Sequence, residues 1–238
     1  MKPKMPVIWL GLGGIAVVLL ILGAWSLRGH GLRMAAEHRV RALVEHRRFL
    51  GNRSATSVIF LHHSVGRNLI RQGMVREKLT AAGLEFWDHD YNYEGLVRPD
   101  GTRAGYSYGI PDDNTDPDGL AKLFSQHVYN WPLNALSGLM QHQVIVFKSC
   151  FPASNIESDE QLQQYQTWYL GMRDVMDRHP DHLFIVVTSP PLNPSATTPE
   201  AAARARRFAV WLQSDAFLRG HPNVRTIDLF GLLSEADP

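Results

Sequence analysis

Two histidines and a serine directly follow a short apolar run. Residues 58–61 read Val-Ile-Phe-Leu, and His62, His63 and Ser64 come next, with Gly66 shortly after them. The run predicts a buried strand, and the spacing beyond it predicts a helix. Ligands bind at the carboxyl ends of strands in open α/β sheets, so Ser64 would lie where a nucleophile acts, beside two proton-carrying side chains. The alternative is an ordinary strand–helix turn in which Ser64 caps the helix.

Polar side chains also follow a second apolar run, 144–147. Lys148, Ser149 and Cys150 come directly after it, and Asn155 stands a few residues later. At the end of a neighbouring strand, these residues could line the same site. Alternatively, Lys148 has no role in a site, and its stem lies along the protein surface with its ammonium in water. Cys150 is interpreted as a buried structural thiol rather than a nucleophile.

An aromatic and acidic segment, 87–93, contains Tyr91 and Tyr93 between carboxylates. Aromatic rings beside carboxylates could bind sugar rings, or they could pack over the sheet as part of an ordinary loop. Residues 112–119 alternate oxygen-bearing side chains as a calcium loop does, but the twelfth position lacks glutamate, and a polar lid is the favoured interpretation. A metal site at His62 and His63 is disfavoured as well, so we expect neither metal nor cofactor.

Apolar runs and helical patterns alternate along the chain. Strands are predicted at 58–61, 84–87, 144–147, 183–187 and 224–229, and helices at 67–82, 133–140, from 159 and from 199. Ser158 to Gln161 form a capping box, and Pro199 occupies a first helical position. Strands separated by helices predict an α/β fold with a doubly wound parallel sheet.

The amino-terminal residues differ in composition from the rest. Residues 6–27 carry no charge, and about 20 such residues span a bilayer, so 1–27 is predicted to be a tail and one transmembrane helix. A cleaved signal peptide is the alternative. Residues 28–54 are predicted to form a basic helical stalk, either solvated or lying on anionic lipid. Basic residues on both sides of residues 6–27 leave the membrane orientation open.

The net charge of +1 gives no reason to expect nucleic-acid binding, and the single cysteine excludes an internal disulfide.

In order and spacing, four segments resemble the SGNH/GDSL hydrolase superfamily. They are the strand ending in His-His-Ser-Val-Gly, the strand followed by Asn155, a strand ending in Thr-Ser-Pro-Pro and the last strand, Val-Arg-Thr-Ile-Asp-Leu. The resemblance covers residues 55–238 and implies a flavodoxin-like three-layer sandwich that cleaves esters. It implies Ser64 as the nucleophile and Asn155 as an oxyanion donor, with Gly95, Gly105 or Gly109 as a second donor.

The chain departs from the family in two places. His62 and His63 stand where the family has Gly-Asp, and the family's Asp-x-x-His block, which supplies the base, is absent. A serine needs a base within hydrogen-bond reach. We expect a carboxyl-terminal truncation, with His62 as a substitute base or an inactive domain as alternatives.

The sequence therefore predicts a membrane-anchored, single-pass esterase of a bacterial cell envelope. Its side of the membrane stays open, with the extracytoplasmic side favoured. Its substrate would be a small-molecule ester or an O-acylated glycan. Ser64, Asn155 and His62 would be catalytic, and the substrate would contact a second set of residues: His63, Gly66, Lys148, Ser149, Tyr91 and Tyr93. An inactive carbohydrate-binding module and an O-acyltransferase are the alternatives.

Overall fold

The computed structural model describes residues 37, 40, 41, 43–45 and 56–234. The chain divides into two compact units, Met1–Arg41 and Ala42–Pro238. Residues 37, 40, 41 and 43–45 are helical, whereas the predicted transmembrane segment 6–27 and the rest of 28–54 lie outside the described residues. No helix within the described ranges is long and apolar enough to cross a membrane.

A six-stranded sheet forms the centre of the second unit. Its strands are β1 (Ser57–Leu61), β2 (Glu85–His89), β3 (Leu96–Val97), β4 (Val144–Lys148), β5 (Leu183–Val187) and β6 (Val224–Ile227). The spatial order is β3-β2-β1-β4-β5-β6. Only β3 is antiparallel to its neighbour. The five parallel strands follow the 2-1-3-4-5 order of flavodoxin-type sheets, and the predicted α/β class is confirmed.

Helices alternate with these strands. They are α1 (Ser64–Gln72), α2 (Val75–Ala81), α3 (Pro117–Phe124), α4 (Ala135–Leu139), α5 (Asp159–Asp177), α6 (Pro199–Gln213), α7 (Asp215–Leu218) and α8 (Leu229–Ser234). Short 3-10 helices cover Pro111–Asp113, Phe151–Ser154 and Pro194–Ala196.

Helices cover the two faces of the sheet. Ile59 and Leu61 of β1 belong to a large apolar cluster that includes residues from α3 to α6. Val58 and Phe60 point to the opposite face, where they pack with Ile70 of α1. Because β1 is buried on both faces, its sequence is continuously apolar rather than alternating.

Two predicted helix starts are confirmed at the level of single hydrogen bonds. The hydroxyl of Ser158 accepts from the backbone N–H of Gln161 at 3.1 Å, and Thr198 caps α6 in the same way, with Pro199 in its first turn. These caps satisfy N–H groups that have no partner inside the helix. A helix beginning is thus encoded within a few residues.

The single helix predicted over 67–82 is wrong. Two helices, α1 and α2, occupy this segment and are separated at Gly73 and Met74. Met74 has φ 49°, in the left-handed region, so the helical hydrogen-bond pattern cannot continue through it. Apolar spacing alone did not reveal this break. Helix α3 was also not predicted, since the polar composition around it indicated a loop.

Candidate functional site

Ser64 is the first residue of α1 and follows the central strand β1. His63 is the helix N-cap residue, with extended φ and ψ, and its side chain makes no capping hydrogen bond. Ser64 is partly buried, whereas His62 and His63 are buried. Strand β1 lies between β2 and β4, where the order of the parallel strands reverses. This is the position at which doubly wound folds bind their ligands.

The His62 side chain is fully enclosed and engaged at both ring nitrogens. Its Nδ1 lies 2.9 Å from the carbonyl oxygen of His63, and its Nε2 lies 3.1 Å from Asp88 Oδ2. Asp88 in turn forms an ion pair with Arg76. Burial lowers the pKa of His62 to about 4. With both nitrogens occupied, His62 connects β1 to β2 in this geometry.

His63 is held by residues from the long segment after β2. Its ring stacks on Tyr91 at 3.9 Å between centroids, and Nδ1 lies 3.2 Å from Thr115 Oγ1. Its Nε2 is 3.7 Å from Asp113 Oδ1 and has no hydrogen-bond partner among the described residues. Burial lowers the pKa of His63. Of the two imidazoles in this turn, His63 is therefore the one with a ring nitrogen that has no hydrogen-bond partner among the described residues.

Strand β4 brings Lys148 and Cys150 to the same edge. Cys150 Sγ lies 3.9 Å from Ser64 Oγ. The Lys148 side chain is fully buried, and its ammonium donates to the carbonyl of Ser149 at 3.0 Å. Burial lowers the pKa of Lys148, partly opposed by Cys150 and Asp116. The structure thus brings a buried amine and a thiol to the strand end that flanks Ser64.

Asn155 and Ser149 have partners of their own. The Asn155 amide donates to Glu157 at 3.1 Å and accepts from the Thr197 hydroxyl at 3.0 Å. Ser149 Oγ lies 3.2 Å from the hydroxyl of Tyr169. Each of these contacts turns the polar group toward residues other than Ser64. The proposed oxyanion role of Asn155 stays a prediction.

Of the three glycines considered as second oxyanion donors, two have engaged N–H groups. Gly95 donates to the Tyr91 carbonyl at 2.8 Å, and Gly109 donates to the Ser107 hydroxyl at 2.9 Å. Gly95 has φ +71°, and a Cβ there would overlap the backbone of Tyr106. Glycine is therefore required at position 95 for the path of the loop.

Three aromatic rings lead from the turn to the protein surface. Tyr91 stacks on His63, and Tyr93 stacks on Tyr91 with 5.7 Å between ring centroids. Tyr93 remains 75% exposed. The row presents an uncovered aromatic ring beside the turn that carries Ser64.

Asp88, Asp113 and Thr115 contact the two histidines and were not identified as site residues from the sequence. Asp88 had one local signal, because a charged residue within a buried strand requires a partner. Asp113 and Thr115 lie in a polar segment where their types are common in turns. The segment 112–119 forms the end of a 3-10 helix and the start of α3. Within the described ranges, no group of three or more His, Cys, Asp or Glu side chains could hold a metal ion.

Comparison of the chain with models of protein families, with curated proteins and with solved structures finds no match.

Proposed function

We propose that this protein is a membrane-anchored esterase related to the SGNH hydrolases, with Ser64 as its nucleophile. The observation that carries the proposal is the location of Ser64 in the first turn of α1, directly after the central parallel strand. Cys150, after β4, lies 3.9 Å from Ser64 Oγ, and Thr115, from the segment before α3, contacts the neighbouring His63. The N-cap of α1 is His63, so the capping alternative for Ser64 does not apply to this turn.

Ser64 Oγ would attack the carbonyl carbon of an ester while its proton passes to a neighbouring base. The carbonyl oxygen becomes an oxyanion, and collapse of the intermediate expels the alcohol and leaves an acyl-serine that water hydrolyses. Backbone N–H groups in the first turn of α1 have no partners within the helix and could stabilise the oxyanion.

His63 is our candidate for the base, in place of the expected His62. Both nitrogens of His62 have close partners, whereas Nε2 of His63 has no hydrogen bond in the described part of the chain. Asp113, 3.7 Å from this nitrogen, would stabilise the imidazolium after proton transfer.

The exposed ring of Tyr93 favours a glycan ester as substrate. Sugar rings present C–H faces that pack on aromatic rings, and the row of His63, Tyr91 and Tyr93 would hold such a ring beside Ser64. We further propose that residues 6–27 anchor the protein as a single transmembrane helix, with the α/β domain in the extracytoplasmic compartment of a cell envelope. The length of this uncharged segment supports the anchor, and the short amino-terminal tail with Lys2 and Lys4 supports a cytoplasmic amino terminus.

Labelling of the full chain with a fluorophosphonate tests the nucleophile. Wild type should be labelled and should hydrolyse p-nitrophenyl acetate, and Ser64→Ala should lose both properties. Ser125→Ala is the matched control, because Ser125 is exposed at the end of α3 and should not affect either readout. Absence of labelling in wild type, or equal labelling of Ser64→Ala, would overturn the proposal.

A carbohydrate-binding module without catalysis is the second candidate, and the same exposed ring favours it. It predicts saturable binding of an O-acetylated glycan that Tyr93→Ala abolishes while the fluorophosphonate does not react. Tyr129→Ala is the control, since Tyr129 is another exposed tyrosine on a different loop. Glycan binding unchanged in Tyr93→Ala would contradict this candidate.

A further inference from the structure

A cavity of about 190 Å³ lies between α1, the end of β2 and the loop after β3. Its volume is below the roughly 300–1,000 Å³ of pockets for drug-sized ligands and well above the space needed by one water molecule. The cavity therefore has the size for a small ion or a small polar molecule.

Four arginines line this cavity: Arg67, Arg71, Arg76 and Arg103. Three carboxylates line it as well, so the charged lining carries a net positive charge at neutral pH. Positively charged side chains that are concentrated in a concave site make the local electrostatic potential more positive, and this potential attracts anions.

The carboxylates fix three of the guanidinium groups. Arg76 pairs with Asp88 and donates to the carbonyl of Phe86 at 2.8 Å. Arg67 donates from Nε to Asp90, and Arg103 pairs with Glu94. These contacts hold the guanidinium planes in place before any ligand arrives, which reduces the entropy lost on binding.

Two of these arginines, Arg67 and Arg71, have guanidinium N–H donors that the ion pairs do not use. Arg67 Nη2 is buried and has no hydrogen-bond partner in the described part of the chain, with Glu94 Oε1 only as near as 3.9 Å. Arg71, one helical turn from Arg67 on the same side of α1, forms no ion pair or hydrogen bond with any residue that the structure describes. An anion that enters the cavity would supply an acceptor to the guanidinium donors of Arg71 and would offset part of the positive charge of the lining.

We propose that this cavity binds a small oxyanion, held by Arg67 and Arg71 with Arg103 at the rim. The planar fork of guanidinium N–H groups matches two oxygens of a carboxylate or a phosphate, so both are chemically suitable. The proposal is independent of ester hydrolysis by Ser64, because no reacting group is needed in the cavity.

Calorimetric titration of the full chain with inorganic phosphate and, separately, with glucuronate tests the proposal at constant low ionic strength. We expect saturable binding of at least one anion, with the dissociation constant raised about tenfold or more in Arg71→Gln. Tighter binding of phosphate would assign a phosphoryl ligand, and tighter binding of glucuronate would assign a carboxylate. Arg219→Gln is the matched control, since Arg219 is an exposed arginine that pairs with Asp215.

A second variant, Arg67→Lys, retains the charge beside Asp90 but removes the guanidinium fork. It should fold and bind the anion more weakly than wild type. Ser64→Ala should bind like wild type, which separates this cavity from the proposed catalytic turn. Absence of saturable binding of both anions, equal binding by Arg71→Gln and wild type, or loss of binding in Ser64→Ala would overturn the assignment.

Discussion

Gly66 and His62 pack against each other so closely that a Cβ on Gly66 would overlap Cβ and Cγ of His62. Gly66 is the third residue of α1, and His62 is the residue directly after β1. The absence of a side chain at position 66 lets the buried imidazole lie against the first turn of the helix, where it reaches Asp88. Gly66, which the sequence suggested as a substrate contact, therefore has a packing role in this structure.

We expect Gly66→Ala to destabilise the protein by about 2 kcal/mol, because the overlap forces His62 or the start of α1 to move. Gly171→Ala is the control, since Gly171 lies within α5 and a Cβ there has nothing within 4 Å. That variant should gain roughly 0.5–1 kcal/mol from the higher helix propensity of alanine. Urea unfolding measures both free energies. Equal changes in the two variants would contradict the packing of Gly66 against His62.

His89 should make the protein less stable in mild acid. Its Nδ1 lies 2.6 Å from the carbonyl of Asp90, and its Nε2 accepts from the backbone N–H of Tyr108 at 3.2 Å. A neutral imidazole, with one donor and one acceptor nitrogen, satisfies both contacts. Burial lowers the pKa of His89 from 6.5 to about 4. Between these values the unfolded chain binds more protons, so stability falls as the pH falls from about 6.5 to about 4, by about 3 kcal/mol from this residue.

The pH dependence of urea unfolding for wild type and His89→Gln measures this contribution. The variant should be less stable at pH 7 and should lose less stability between pH 6.5 and 4. His127→Gln, which replaces an exposed histidine, should retain the wild-type slope. The same slope in His89→Gln as in wild type would exclude His89 as a source of acid sensitivity.

Lys148 should lower the stability of the fold at neutral pH. Its side chain is fully buried, and among the described residues its ammonium has one hydrogen-bond acceptor, the carbonyl of Ser149. Lys148→Met retains the length of the chain and removes the charge, so we expect a gain of about 1 kcal/mol at pH 7. Because burial lowers the pKa of Lys148, the unfolded chain binds the extra proton, and the gain should shrink as the pH rises toward 10.5.

Thermal unfolding of the full chain at pH 7 and at pH 9.5 measures this gain. Lys78→Met is the control, because Lys78 is exposed on α2 and its replacement should change stability by less than about 0.5 kcal/mol. A Lys148→Met variant less stable than wild type at pH 7 would mean that the buried ammonium contributes favourable interactions that outweigh its desolvation.

The sequence by itself determined the features that depend on neighbouring residues. The sequence predicted β1, β2, β4, β5 and β6. For β1 the reason is burial on both faces, which makes a strand apolar along most of its length. Ser158 and Thr198 marked the starts of α5 and α6, since a cap needs only a hydroxyl and an N–H three residues later. The α/β class and the location of Ser64 directly after the first strand followed from this order, whereas the central position of that strand came from the sheet topology.

Only the tertiary structure decided which distant side chains meet. Thr115 contacts His63 across 52 positions of sequence, and Thr197 donates to Asn155 across 42 positions. In the same way, the course of the loop after β3 places Arg103 at the cavity that Arg67 and Arg71 of α1 also line. Hydrophobic periodicity reports which face of an element is buried, but a loop's course depends on all the surfaces it covers, so no local spacing encodes these contacts.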